Sequence, residues 1–357
     1  MESKNNKKRF AEYGFQKSFL PAGAHNRITD VEGVRVGHYT KIEGKNIRTG
    51  ITIIDPGIPD FFQMKTPAAI AVGNGYGKLV GITQVEELGT LETPIGLTNT
   101  LAVGTVMRGL VDIVLDRNKT IAAADSINAV VGETNDGFLN DLHADTLTKD
   151  DVRKAYENCS TEFVIGNVGA GTGTRAFWWK GGVGTASRVV AAQDKKYIVG
   201  VLVQTNYGGA LTLHGVPVGR LLKKTDFDAW VPRDDGSCMI VLATDAPFTS
   251  RQLGRVAHRT FVGLARTGSV LSTGSGDYAI AFTTSRDGLE SSGAVGSCMP
   301  DSQLNVFFLA AAEATEEAVY DALFAAETMK GRAGNVLEAI PHDAIVDLMK
   351  RYLPHEN

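Results

Sequence analysis

The sequence predicts a layered α/β fold in which α-helices pack outside β-sheets. Several segments are apolar at both odd and even positions, which is typical of strands whose sheet is covered on both faces. Other segments place apolar residues at helical spacing along one face, which is typical of helices that cover such sheets. The 40 glycines among 357 residues are scattered without a period, as expected for many short elements separated by turns.

Seven segments have the composition of strands, and residues 237–244 form the clearest of them. Residues 238–243 are apolar at odd and even positions alike, so neither face of this strand is expected to meet solvent. Ser237 is therefore the last polar side chain before the interior, either as a turn residue or as a nucleophile. The predicted strands span residues 34–38, 50–54, 68–72, 162–167, 198–204, 237–244 and 278–283.

Three helices are predicted, at residues 249–267, 99–114 and 301–330. The first has its apolar residues at spacings of three and four, from Leu253 to Leu264, and Gly268 follows as its stop. Its arginines, Arg251, Arg255 and Arg259, lie on another face. Because the chain has no internal repeat and no composition break that would mark a linker, we expect a single domain over residues 1–357.

The composition predicts a globular protein and disfavours several classes of partner. With a net charge of −4 and no long block of lysine or arginine, nucleic acid is not an expected partner. The basic opening KNNKKR is not followed by an apolar stretch, so neither a secretory signal nor a membrane span is expected. The three cysteines are few and odd in number, which fits a reducing compartment, and we predict a cytoplasmic protein.

One glycine-rich segment has the spacing of a dinucleotide-binding loop. A predicted strand is followed by a GxGxxA pattern with an acidic residue about twenty positions later, formed by Gly171, Gly173, Ala176 and Asp194. Such a site needs a helix directly after the loop, and the next residues contain Gly181, Gly182 and Gly184, which disfavour one. A nucleotide-dependent oxidoreductase is therefore a minor alternative.

No other motif predicts a cofactor or a metal. The segment GNGYGK, residues 73–78, lacks the spacing of a phosphate-binding loop and is interpreted as a turn. The seven histidines form no HExxH motif and the cysteines form no CxxC motif, so no metal site is predicted. His214 and His258 are candidate general bases by residue type, although a structural role is the better interpretation of each.

The pair Gly236-Ser237 permits an unusual kind of nucleophile. A serine hydroxyl needs a base within hydrogen-bond reach, and no histidine is near Ser237 in sequence. If the chain is cleaved before Ser237, the new α-amine can serve as that base, as in enzymes with an N-terminal nucleophile. Gly236 suits such a cleavage because glycine tolerates strained backbone geometry, yet the same pair is also typical of a plain turn.

The wider sequence resembles the P1 family of peptidases, the group of L-aminopeptidase/D-amino acid esterase-amidases and β-peptidyl aminopeptidases. The resemblance is carried by several segments in order: HNRITDVEGVRVGHYT, VGETNDGFLND, VLVQTNYGG, the stretch from VPRDDGSCMIVLATDAP through LARTGS, and TGSGDYAIAF. It implies a four-layer αββα sandwich, similar to ornithine acetyltransferase and related in architecture to N-terminal-nucleophile hydrolases. It also implies self-cleavage into residues 1–236 and 237–357, which then assemble as homo-oligomers of αβ units, tetramers or larger.

The resemblance further implies roles for particular residues. Ser237 would be the nucleophile of both self-cleavage and hydrolysis, and Asn206 would donate to the oxyanion. Ser275 and Asp277 match a pair that supports the nucleophile, although some relatives have glutamate at the acidic position. Glu133 is the candidate anchor for the substrate ammonium. Asn135 falls near a position where some members have a tyrosine that assists the oxyanion, so a second oxyanion donor stays open.

The sequence thus predicts a self-processing serine aminopeptidase, without a cofactor, for short peptides or amino-acid amides and esters that have a free amine. An acyltransferase or a non-peptide amidase on the same fold is the main alternative, because an acyl-enzyme can be captured by an amine instead of water. A small-molecule-binding protein that has lost activity is a further alternative, and such a protein would not cleave itself.

Overall fold

The computed structural model describes residues 8–15, 17–228, 236–285 and 298–353. Within these ranges the chain forms fifteen strands and seven α-helices. The strands are β1 (Arg35–Glu43), β2 (Ile47–Asp55), β3 (Thr66–Gly75), β4 (Leu79–Val80), β5 (Thr90–Leu91), β6 (Ile95–Asn99), β7 (Val130–Thr134), β8 (Arg175–Ala176), β9 (Trp179–Lys180), β10 (Val183–Ala192), β11 (Lys195–Tyr207), β12 (Gly236–Thr244), β13 (Ser275–Thr283), β14 (Met329–Lys330) and β15 (Val336–Leu337). The helices are α1 (Ile82–Leu88), α2 (Val103–Arg117), α3 (Lys149–Glu157), α4 (Val218–Leu221), α5 (Ser250–Arg266), α6 (Leu304–Phe324) and α7 (His342–Tyr352).

The longer strands form two sheets. The small sheet has the order β1-β2-β6-β7-β4, and the large sheet has the order β5-β3-β13-β12-β11-β8-β9, with β10 also paired to β11. A separate ribbon joins β14 to β15. The strands β12 and β13 are parallel to each other and antiparallel to their outer neighbours β11 and β3. The centre of the large sheet is therefore built from segments far apart in sequence.

Strand β12 shows why both faces of the large sheet are buried. Met239 and Val241 lie in a core shared with the small sheet, whereas Cys238 and Ile240 lie in a core shared with α5 and α6. Successive side chains of a strand point to opposite faces, so an uninterrupted apolar run is what two buried faces require.

A third core completes the layering. Residues of α2 and α3 pack on the outer face of the small sheet, where Val106 and Val152 join Ile51 and Ile53 of β2. The order of layers is helices α2 and α3, small sheet, large sheet, and helices α5 and α6. The predicted four-layer αββα sandwich is confirmed.

The helix predictions hold with shifted ends. Helix α5 begins after Thr249, whose side chain accepts a hydrogen bond from the Gln252 N–H, and Gly268 follows it with φ +100°. The helix predicted at 99–114 begins only at Val103, because Asn99 ends β6 and its Oδ1 accepts from the N–H groups of Leu101 and Ala102. The helix predicted at 301–330 is α6, which ends at Phe324 before β14 begins.

The strand predicted at 162–167 is wrong. Only Gly166 of this segment makes a β-bridge, to Val183, while the rest follows no strand. Phe163 instead packs against Arg27 and His38, so its apolar character serves a side-chain contact rather than a sheet. In the part of the chain that the structure describes, no helix is long and apolar enough to cross a bilayer.

Candidate active site

Three central strands of the large sheet bring the predicted catalytic residues to one edge. The end of β11 pairs with the beginning of β12, which places Asn206 directly opposite Ser237. The beginning of β13 runs beside β12, so that Gly236 pairs with Ser275 and Cys238 with Asp277. Residues opposite each other on neighbouring strands have Cβ atoms about 4.5 to 5.5 Å apart. The backbone register therefore gathers four polar residues that are separated by up to 71 positions in sequence.

Ser237 lies at the floor of a cleft, with its hydroxyl beside the preceding peptide bond. Its Oγ donates a hydrogen bond to the carbonyl oxygen of Gly236 at 2.5 Å. The side chain is buried but lines the cleft together with Gly236. The hydroxyl is thus next to the carbonyl group that it would attack in a self-cleavage reaction. The upstream aspartates Asp234 and Asp235 lie outside the described residues.

The side-chain amide of Asn206 is held by hydrogen bonds on both of its ends. Its Nδ2 donates to the Asn135 carbonyl at 2.9 Å, and its Oδ1 accepts from the Arg175 N–H at 3.3 Å. An amide nitrogen carries two hydrogens, so one N–H remains for a further acceptor. Within the described ranges, Asn206 is therefore fixed in orientation and keeps one N–H for a further acceptor beside Ser237.

Asn135 reaches the site through its main chain. Its carbonyl accepts from Asn206, while its side-chain Oδ1 accepts from the Gly137 N–H at 2.9 Å and closes a local turn. Asn135 also lines the cleft and is exposed. The geometry therefore favours a contribution of its backbone to the placement of Asn206.

Ser275 and Asp277 lie on the outer face of the large sheet, at the backbone of the Gly236-Ser237 bond. A Cβ built on Gly236 would lie 3.2 Å from Ser275 Oγ, which places that hydroxyl beside the bond. Asp277 is fully buried, and among the described residues neither of its carboxylate oxygens has a hydrogen-bond partner of good geometry. Burial raises the pKa of Asp277 to about 6, and the nearby Ser275 hydroxyl and Cys238 N–H only partly oppose this rise.

Glu133 enters the cleft from β7 of the small sheet. Its Oε1 accepts from the Lys78 N–H at 2.9 Å, and the Lys78 ammonium lies 3.7 Å from the same oxygen. Burial raises the pKa of Glu133, and the neighbouring Lys78 opposes this. Lys78 Nζ also donates to Thr100 Oγ1 at 2.8 Å. A carboxylate and an ammonium thus share one wall of the cleft.

The cleft has a volume of about 670 Å³, which is enough for a small ligand. Residues 73–78 form one of its walls, which no motif of the sequence predicted. Residues 73–75 end β3 and residues 76–77 form a bend, so the interpretation as a turn holds only for the second part of the segment. A Cβ on Gly276 would lie 2.7 Å from the Tyr76 carbonyl oxygen. Further lining residues that no motif predicted are Thr100, Thr273 and Gly274. A glycine-rich bend with one lysine directly after a buried strand was the available signal.

The other candidates from the sequence lie elsewhere. After Gly173 the chain continues into β8, β9 and β10, so the helix that a dinucleotide site requires does not follow, as predicted. Asp194 lies in the tight turn between β10 and β11 with φ +59°. His214 contacts Glu316 and Tyr320 of α6, and His258 lies exposed on α5. Among the described residues, no three acidic, histidine or cysteine side chains form a group that could hold a metal ion.

Comparison with known protein families decides the classification. Residues 26–337 match the model of peptidase family S58. The chain belongs to this family. Its membership confirms the resemblance to the aminopeptidase group, and it makes the protein a hydrolase of the peptidase class.

Relatives of known name support the S58 assignment over almost the whole chain. The β-peptidyl aminopeptidase BapA of Sphingosinicella xenopeptidilytica is 39% identical, over 93% of this chain and 89% of the relative. A solved structure from Pyrococcus horikoshii is 43% identical with a TM-score of 0.90, over 97% of this chain and 99% of that one. The L-aminopeptidase D-Ala-esterase/amidase of Ochrobactrum anthropi is 34% identical with a TM-score of 0.88, over 97% and 99% of the two chains. That structure is described as a variant of the Ntn hydrolase fold, and this S58 chain shares its architecture.

Proposed function

We propose that this S58 peptidase is a serine aminopeptidase that activates itself by cleaving the Gly236-Ser237 bond. In the proposed reaction it then hydrolyses short peptides and amino-acid amides or esters that have a free amine. The observation that carries the proposal is the placement of the Ser237 hydroxyl, 2.5 Å from the Gly236 carbonyl oxygen, in a cleft that also contains Glu133. The names of the relatives, a β-peptidyl aminopeptidase and an L-aminopeptidase D-Ala-esterase/amidase, support this substrate class.

Self-cleavage proceeds through an ester. The Ser237 Oγ attacks the Gly236 carbonyl carbon, the C–N bond breaks, and the nitrogen takes up a proton to become a free α-amine. Water then hydrolyses the ester and leaves a carboxylate on Gly236. The free N–H of Asn206 can stabilise the oxyanion of both steps, because a donor placed in advance carries no reorganisation cost.

The new amine provides the base for substrate hydrolysis. It takes the proton of the Ser237 hydroxyl, whose Oγ attacks the substrate carbonyl, and the resulting ammonium returns a proton to the leaving amine. Ser275 is beside this amine, and the ionised carboxylate of Asp277 would stabilise its protonated form. Water then releases the acyl group from Ser237.

Recognition of a free amine is assigned to Glu133. Its carboxylate is buried in the cleft wall, where a charge-assisted contact with a substrate ammonium is stronger than in water. A substrate that is cleaved within a longer chain has no ammonium at this position, so the Glu133 carboxylate would lack this contact. The Lys78 ammonium already lies near the same oxygen, so a substrate ammonium has to share Glu133 with Lys78 or displace it.

The sheet topology supports a single catalytic unit after cleavage. Strands β12 and β13 follow the proposed cleavage point, and they lie between β3 and β11, which precede it. The two fragments therefore share one sheet and its cores, so we propose that they stay together. Assembly into tetramers or larger oligomers and a cytoplasmic location stay predictions.

Denaturing mass spectrometry of the purified protein tests the proposal. We expect the wild-type protein to give two fragments that meet at Gly236 and Ser237, and the Ser237→Ala variant to give one inactive chain. Ser272→Ala is the matched control, a nearby serine outside the cleft lining, and it should be cleaved and active. An active wild-type protein that runs as one unbroken chain would contradict the proposal.

A further inference from the structure

Lys180 is a fully buried lysine that the proposed reaction does not use. Its Nζ donates to three backbone carbonyls, those of Gly171, Thr174 and Gly181, at 3.0, 2.6 and 2.7 Å. Three acceptors require three N–H donors, which an ammonium has and a neutral amine lacks. The geometry therefore indicates a positive charge inside the protein. Burying such a charge is costly, so its position calls for a physical reason.

The acceptor at Thr174 connects Lys180 to the active site. The Thr174 carbonyl and the Arg175 N–H belong to the same peptide group. The carbonyl accepts from Lys180, and the N–H donates to Oδ1 of Asn206 at 3.3 Å. Hydrogen bonds in a chain of amide groups polarise one another, so a cation at one end strengthens the donors further along. The last donor of this chain is the Asn206 Nδ2, which lies beside Ser237.

Asp136, which opposes the lowering of the Lys180 pKa by burial, lies on the other side of the same amide, and burial raises its own pKa to about 7. Asp136 is buried and directly follows Asn135, whose carbonyl accepts from Asn206 Nδ2 at 2.9 Å. One carboxylate oxygen of Asp136 accepts from Asn140 Nδ2, and the other has no partner among the described residues. A Cβ on Gly173 would lie 2.9 Å from Asp136 Cβ, so the glycine-rich loop around Lys180 packs directly on Asp136.

We propose that Lys180 is the positioning residue of the oxyanion donor, acting on Asn206 through the Thr174-Arg175 peptide group. The inference rests on the proposed role of Asn206 and adds a residue that no motif of the sequence assigned to the site. The ammonium fixes the loop that holds Oδ1 and polarises the peptide that donates to it. Asp136 opposes the lowering of the Lys180 pKa by burial, and it directly follows the Asn135 carbonyl that holds Nδ2. A purely structural lysine would stabilise the loop without any effect on the transition state.

A double-mutant cycle tests the proposal on the processed enzyme. The four proteins are wild type, Lys180→Met, Asn206→Ala and the double variant, with kcat expressed per processed chain as counted by mass spectrometry. We expect Lys180→Met to lower kcat at least tenfold with KM for an amino-acid p-nitroanilide unchanged within twofold. The double variant should be no slower than Asn206→Ala, because Lys180 acts through Asn206. Lys224→Met, a half-buried lysine over the Trp179 ring, is the matched control and should keep wild-type kcat.

The possible results are distinguishable. If Asn206→Ala keeps full activity, the proposed role of Asn206 fails and the inference with it. If Asn206→Ala is impaired while Lys180→Met is normal, or while the two losses simply multiply, only the inference is overturned.

A second variant covers the case in which Lys180→Met does not fold. Among the described residues, Asp136 is the titratable group that raises the pKa of Lys180, against the lowering effect of burial. Asp136→Asn has nearly the same shape and removes this support, so the ammonium should lose its proton at a lower pH. We expect the alkaline limb of kcat to shift to lower pH in Asp136→Asn, whereas an unchanged pH profile would overturn the proposal.

Discussion

The two walls of the cleft are built in different ways. On the large sheet, Asn206, Ser237 and the Ser275 to Asp277 segment are brought together by backbone pairing of adjacent strands, so their relative positions are as rigid as the sheet. On the small sheet, Glu133 reaches the cleft as a side chain whose partner is Lys78, a half-exposed lysine of a loop. We therefore expect bond cleavage to depend on the rigid large-sheet wall and recognition of the substrate charge to depend on the side-chain contacts of the small-sheet wall.

The largest expected effect is on the large-sheet wall. Asn206→Ala should lower kcat by about 10² to 10³ with little change of KM, because removal of one oxyanion donor has this cost. Steady-state kinetics on an amino-acid p-nitroanilide measure it. Asn135→Ala is the matched control, since it keeps the backbone carbonyl that holds Asn206, and its kcat should stay within about threefold of wild type. Equal losses of kcat in both variants would contradict the assignment of Asn135 to a role through its backbone carbonyl alone.

The next effect should lie on the small-sheet wall and in KM. Glu133→Gln removes the charge that binds the substrate ammonium, and we expect KM to rise about 10- to 100-fold with a smaller change in kcat. Glu92→Gln is the control, because Glu92 is equally buried and paired with Lys65 but does not line the cleft. A loss confined to kcat would show that Glu133 acts in the chemical step and not in substrate binding.

A smaller change in the opposite direction is expected at Lys78. Its ammonium competes with a substrate ammonium for Glu133, so Lys78→Met should lower KM at pH 8 by about two- to fivefold, the range of a partly exposed ion pair. The measurement needs an amide substrate without a carboxylate, which would itself attract Lys78. A higher KM in Lys78→Met would show that the lysine assists binding.

The smallest effect concerns stability before cleavage. Burial raises the pKa of Asp277 from 3.8 to about 6, so the folded chain holds this proton more tightly than the unfolded chain. The corresponding stabilisation is complete below about pH 4 and is lost as the pH rises to about 6. In the uncleaved Ser237→Ala background, Asp277→Asn should therefore raise Tm by about 2 to 5 °C at pH 7.5 and leave it unchanged at pH 4. An equal difference at both pH values would contradict the assignment to ionisation of Asp277.

The sequence predicted the large-sheet wall better than the small-sheet wall, for a physical reason. A strand buried on both faces leaves an uninterrupted apolar run, so residues 237–244 and the position of Ser237 were recognisable. Strands β6 and β7 were not recognised, because each is only five residues long and neither is an uninterrupted apolar run. Strand β6 contains Gly96, Thr98 and Asn99, and β7 contains Gly132 and Glu133. The segment 162–167 has the composition of a strand, yet only Gly166 pairs, in a single bridge to Val183, and composition cannot reveal which segments pair.

By itself the sequence determined the local elements and the chemical inventory: a buried strand that begins at a Gly-Ser pair, amphipathic helices, and a resemblance that assigned roles to residues in order along the chain. Only the tertiary structure decided which groups meet. Lys78 faces Glu133, and Lys180 reaches Asn206 through a single peptide group, because strand register and loop packing join positions 26 to 55 residues apart. Such contacts depend on the free energy of the whole packed sandwich, which no local pattern of residues encodes.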